Sequence, residues 1–228
     1  MNARLERQPK KVASGYKLPD GLPERLYLLA LDPMTGKLSN RSRLGLMLRA
    51  AALTELQLDG KLSDQDDRVV AVGTQIPARS PLGEQVFAEV EAGGRKRWKY
   101  WVERHARTAV PAVRDELERT RLIRVEHYRR LLVFPAERIT LRQPLVRRQL
   151  LQAATDTLRP ARLVTRVDLR DAALVVLASA GELKPVLSKE QRKQYKDRIA
   201  QLTIRVGPVG PALRKAVQQQ NAAANSAG

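Results

Sequence analysis

"RSRLGLMLRAAALTELQLDGKLS", residues 41–63, carries the fold class. Leu44, Met47, Leu48, Ala51, Ala52 and Leu56 recur at intervals of three and four, one face of a helix, and Gly60 supplies a C-terminal stop. Upstream, "PERLYLLALD" (23–32) places proline at a first helical turn ahead of Leu26, Leu28, Leu29 and Leu31. Downstream, "EQVFAEVEA" (84–92) reads as helix ended by Gly93-Gly94, and "RKRWKYWVERHARTAV" (95–110) as another. Pro111 is expected to open the next, "PAVRDELERTRLI" (111–123). The last third is helical in three pieces, from Pro144, Asp168 and Ser188, the latter two at N-cap positions. "DLRDAALVVLASAGEL" (168–183) is apolar nearly all round, which makes it the expected buried central helix. Strand signals are few: "DRVVAVG" (67–73), and a hairpin expected around His127–Arg130. The expectation is a mainly α, single helical-bundle domain with short β-strands and a hydrophobic β-hairpin. It spans 21–217, between a disordered basic tail (1–20) and a disordered polar tail (218–228).

Composition narrows what such a bundle can do. With 43% hydrophobic residues among 228 there is enough to fill a core, and only 4% is aromatic. No cysteine is present, which removes disulfides and thiolate chemistry, and the cytosol is the natural compartment. No apolar run approaches the ~18 residues of a membrane span, so any meeting with a membrane is peripheral. His105 and His127 are too far apart to form a helix-borne metal pair, and no hydrolase, zincin or dinucleotide motif occurs. "SDQDDR" (63–68) reads as a solvated turn. Neither an enzyme nor a cofactor is expected.

The formal charge is +18, and it is uneven. Residues 95–148 hold 16 Lys+Arg against 6 Asp+Glu, a local +10 in under a quarter of the chain. Trp98, Tyr100 and Trp101 stand among these charges, and Leu131, Leu132, Val133 and Phe134 follow Tyr128, Arg129 and Arg130. Cations beside an apolar ribbon are the two signals that together hold a peripheral protein on an anionic bilayer. The ribbon has three candidate covers: a bilayer, a sister subunit or the protein's own core. Two alternatives fit the same charge. The helix-then-wing units at 44–73 and 111–134 resemble winged-helix DNA binders, which makes nucleic acid a candidate partner. An adaptor for an acidic protein partner is the other.

Three stretches carry a resemblance. "ERLYLLALDPMTGKLSNRSRLGLMLRAAALTELQLDGKL" (24–62), "VRDELERTRLIRVEHYRRLLVFP" (113–135) and "LRDAALVVLASAGEL" (169–183) resemble, in order and spacing, the Golgi phosphoprotein 3 family over roughly 24–203. The Arg- and Ala-rich composition is closer to a bacterial relative. The resemblance implies a helical domain that binds phosphatidylinositol 4-phosphate in a basic pocket and docks on the cytoplasmic membrane face, which in eukaryotic relatives is the Golgi membrane. There it serves trafficking and the retention of membrane-enzyme clients. Its pocket uses an aromatic residue, an arginine in L-R-small, and two arginines one turn apart. Arg49 matches the L-R-small arginine and Arg107 the first of the pair; Asn40 stands at the aromatic position and Val110 at the second arginine. Arg41, Arg43, Arg104 and Arg114 are the candidate substitute phosphate donors. The resemblance also assigns the 128–134 hairpin to membrane insertion and self-association into a homo-oligomer.

Overall fold

In the computed structural model, which describes residues 17–73, 77–130 and 134–226 (backbone alone for 129–130 and 134–136), helices dominate. Their order is α1 (Leu22–Ala30), α2 (Arg41–Leu58), β1 (Leu62–Gln65), β2 (Arg68–Ala71), α3 (Pro81–Gly93), β3 (Lys96–Arg97), α4 (Trp98–Glu103) and α5 (Ala106–Arg119). There follow β4 (Ile123–Arg130), β5 (Phe134–Leu141), α6 (Pro144–Leu158), a 3-10 turn (Val164–Arg166), α7 (Leu169–Ala180), α8 (Lys189–Gln194), α9 (Lys196–Val206) and α10 (Val209–Ser226). This is the expected mainly α single domain, with two small antiparallel sheets.

The 41–63 stretch forms the axle. Every residue of α2 from Leu44 to Leu56 is buried, and the helix is enclosed by α1, α3, α4, α5, α7 and α10. Its end is a Schellman motif: Gly60, at φ 72°, donates to the Gln57 carbonyl and Lys61 N–H reaches Leu56. Helix α7 is buried throughout 172–180, as its all-round apolarity predicts. Asp168 caps it by accepting from the Arg170 and Asp171 amides, and Ser188 caps α8 in a capping box with Gln191. Each such cap stabilises by about 1 kcal/mol.

Four sequence expectations shift. Pro111 does not open a helix; it lies inside α5. The break falls at His105 instead, whose left-handed backbone (φ 52°) separates α4 from α5. The cost is local, since Pro111 has no N–H to give the Arg107 carbonyl. The hairpin turn is not at His127–Arg130: those residues are in β4, paired with Phe134–Glu137. The strand at 67–73 has a partner the reading did not assign, because Asp66 and Asp67, at φ 54° and 61°, close a two-residue hairpin with β1. Finally, the polar tail expected from 218 is helical through Ser226 within α10. Gln220 donates to the Ser42 carbonyl and Asn221 accepts from Arg43, which ties the polar segment to α2. The N-terminal tail lies, apart from 17–20, outside the described residues.

Candidate functional site

The residues of α2 and α5 meet at a backbone contact. Gly45 lies so close to the Ala106 carbonyl that a Cβ there would stand 2.0 Å from its oxygen. Beside this contact lies a groove of about 1890 Å³. Its walls are the head of α2 with Lys37 and Leu38, the face of α5, the C-terminal part of α10, and the hairpin at His127, Glu137 and Ile139.

Two helix N-termini face this groove, and both carry charge of the wrong sign for their dipoles. Helix α2 opens with Arg41 and α5 with Arg107 in the second position; neither has an acidic residue in its first turn or a side-chain cap. Positive side chains beside the positive end of a helix are unfavourable by a few tenths to ~1 kcal/mol each. An anion in the groove would be attracted both by the helix ends and by the guanidiniums, offsetting both terms. Among the described residues neither Arg41 nor Arg107 has an ion-pair or hydrogen-bond partner for its side chain, and both line the groove.

The remaining expected headgroup residues are placed differently. Arg49 is fully buried on α2; its Nη2 donates to Glu89 at 2.8 Å and to the Trp101 carbonyl, and its Nε to the same carbonyl. Burial pulls the guanidinium below its usual pKa, with Glu89 opposing. Arg104 and His105 close on the same carboxylate, at 3.7 and 3.0 Å. Burial alone would push the Glu89 carboxyl up, yet the bonds from His105 and Arg49 and the Arg49 charge bring it below its ordinary value. Arg104 also stacks over Tyr100 and Trp101. Asn40, left-handed at φ 54°, donates to the Gly181 and Glu182 carbonyls at the end of α7, and Arg43 pairs with Glu182. Arg114 does line the groove, held bidentate by Glu137 and paired with Asp115.

The seven expected headgroup residues thus divide. Arg41 and Arg107 line the groove without an ion-pair partner among the described residues, Arg114 lines it paired with Glu137 and Asp115, and Arg49, Arg104, Asn40 and Arg43 bond to groups of the fold. Sequence reasoning missed Glu89, whose only trace was an acidic residue on a helix, and Tyr27, which lines the groove from α1. Of the hairpin residues, Tyr128 is half exposed and Arg129, Arg130 and Phe134 are in paired strands. Leu131, Leu132 and Val133 lie outside the described residues.

No described helix is long and apolar enough to cross a membrane. A protein-family model described as Golgi phosphoprotein 3 (GPP34) matches residues 22–220, nearly all of the described chain. No match is found among curated proteins.

Proposed function

The chain belongs to the Golgi phosphoprotein 3 family, a non-enzymatic, lipid-binding family known for phosphoinositide binding, and from that premise we propose that it is a peripheral membrane protein that binds anionic phospholipid headgroups. Phosphatidylinositol 4-phosphate, or a headgroup like it, is the ligand. The observation that carries this reading is the pair of unpaired guanidiniums, Arg41 and Arg107, in the first turns of two helices that line one groove. Phosphate answers both the side-chain charge and the unfavourable dipole terms.

The hairpin supplies the second half of the anchor. Each cation held at an anionic surface contributes on the order of 1 kcal/mol and each large apolar side chain buried in the bilayer ~1.5–3 kcal/mol. Leu131, Leu132, Val133 and Phe134 would enter the acyl boundary while Lys37, Arg41 and Arg107 hold phosphate. The nucleic-acid reading fares worse at its first wing, whose turn presents Asp66 and Asp67. Residence on the cytoplasmic membrane face, pairing of two copies through the hairpin and retention of a membrane-enzyme client belong to the same reading.

Flotation with phosphatidylcholine vesicles, with and without phosphatidylinositol 4-phosphate, tests it. Flotation is expected only with the phosphoinositide. Arg41→Gln and Arg107→Gln are each expected to weaken binding on the order of tenfold, the scale of one charge-assisted hydrogen bond. Alanine at Leu131, Leu132 and Phe134 together is expected to abolish it. Failure to float on either vesicle defeats the lipid reading.

A further inference from the structure

Among the described residues Met34 is the most exposed large hydrophobic side chain, at 86%. One exposed apolar side chain is ordinary on a protein surface; what sets this one apart is the turn that holds it out. The chain folds back between α1 and α2 through a bridge of Leu31 to Leu38, and the Asp32 N–H donates to the Lys37 carbonyl. At the tip the Asp32 carboxylate accepts from the Met34 and Thr35 amides at 2.8 and 3.3 Å, which keeps its carboxyl below the ordinary value. Gly36, at φ 67°, packs against the hairpin: a Cβ there would stand 2.5 Å from the Ile139 carbonyl oxygen of β5. The turn is thus stapled at its base and pressed on the hairpin, while Pro33, Met34 and Thr35 are exposed at its tip.

The charge around this tip is one-sided. Its single carboxylate, Asp32, is taken up by backbone amides, and the half-buried guanidinium of Arg147, from α6, acts on it. Lys37 is exposed on the other side. Gly36, Lys37 and Leu38 line the groove that Arg41 and Arg107 also line, so Met34 stands two residues from the groove wall. An uncharged tip flanked by cations suits the boundary between anionic headgroups and acyl chains. Methionine, unbranched and polarisable, adapts to such irregular apolar surroundings.

We propose that the turn at 33–36 is a second membrane-insertion element, which places Met34 in the acyl boundary of the bilayer beside the hairpin. The proposal rests on the membrane reading above. It adds a contact outside the hairpin and fixes an orientation, with the turn between α1 and α2 facing the bilayer.

The chain has no cysteine, so Met34→Cys accepts a single nitrobenzoxadiazole label, whose emission reports water or lipid around it. Ile204→Cys is the control: Ile204 is 83% exposed on α9 and does not line the groove. Both labelled chains and the unlabelled wild type are floated on phosphatidylcholine vesicles with and without phosphatidylinositol 4-phosphate. With the phosphoinositide, the label at position 34 is expected to brighten, shift to the blue and be quenched by lipids spin-labelled high on the acyl chain. The label at position 204 is expected to do none of these. Met34→Ser is expected to weaken vesicle binding about tenfold and to leave the affinity for soluble inositol 1,4-bisphosphate unchanged. Flotation with the label at position 34 unaltered overturns the proposal and leaves the membrane reading standing. A blue shift that the lipid quencher does not reach does the same, since it puts Met34 against protein, and so does equal vesicle affinity of Met34→Ser and the wild type. Failure of the unlabelled wild type to float on either vesicle overturns both.

Discussion

Two groups of arginines lie within a few turns of each other and behave as opposites. Around Glu89, Arg49 is buried and, with Arg104 and His105, converges on one carboxylate. On the groove, Arg41 and Arg107 carry the same charge beside two helix N-termini and, among the described residues, form no ion pair. The first group has its counter-ion inside the fold; the second leaves it to be supplied. Residue type says nothing about which group an arginine joins.

The sharpest way to break this contrast is to remove the internal counter-ion. Glu89→Ala leaves Arg49 buried and unpaired and is expected to cost about 3–5 kcal/mol, read as a fall in the denaturant midpoint. A loss under 1 kcal/mol would mean that Arg49 is not held by Glu89.

A carboxylate buried without a cation is the converse case. Glu24 is buried at the start of α1 with no cation or other side chain bonded to its carboxyl among the described residues, and burial, opposed by its own backbone N–H and joined by repulsion from Glu55, pushes its pKa up to about 7. Its folded value exceeds its unfolded one, so its stabilising protonated form is intact below about pH 4.5 and is lost as pH rises through 7. Glu24→Gln should therefore match the wild type near pH 4.5 and exceed it by about 3 kcal/mol at pH 8, measured by denaturation across that range. A constant difference across pH would refute it.

Gly45→Ala tests the geometry that places Arg41 and Arg107 together. The added Cβ meets the Ala106 carbonyl, so the start of α5 must move. About 1–3 kcal/mol of stability should be lost, and with it most vesicle binding. The smallest effect is expected on the groove itself: Arg41→Gln and Arg107→Gln should leave stability within about 0.5 kcal/mol. A large destabilisation by either would show that its charge is committed inside the fold, like that of Arg49.

The sequence made the long periodicities legible. Leu44 to Leu56 named α2, the all-round apolarity of 172–180 named the buried helix, and Asp168 and Ser188 named two caps, because each is a local pattern. A hairpin around His127–Arg130 was legible too, but those residues are strand rather than turn, and its second strand, which runs to Leu141, was not read. Pro111 misled because a helix can bear one missing hydrogen bond when packing holds it. The division of the arginines could not be read at all. Glu89 is 40 positions from Arg49, and only the packing of α3 and α4 against α2 joins them. Tyr27 looked like any apolar-face residue of α1, and its place on the groove wall exists only in three dimensions.

Asn40 grips two carbonyls at the end of α7 rather than capping its own helix. That grip makes the two sides of the groove mechanically unequal. The jaw formed by α2 is pinned to the buried helix and cannot give without disturbing the core. The opposing jaw is α5, which begins at a left-handed hinge residue, contains a proline and continues into the two-stranded hairpin. One side of the groove is thus tied by hydrogen bonds to the buried helix, and the other by the packing of a proline-containing helix that leads into the hairpin.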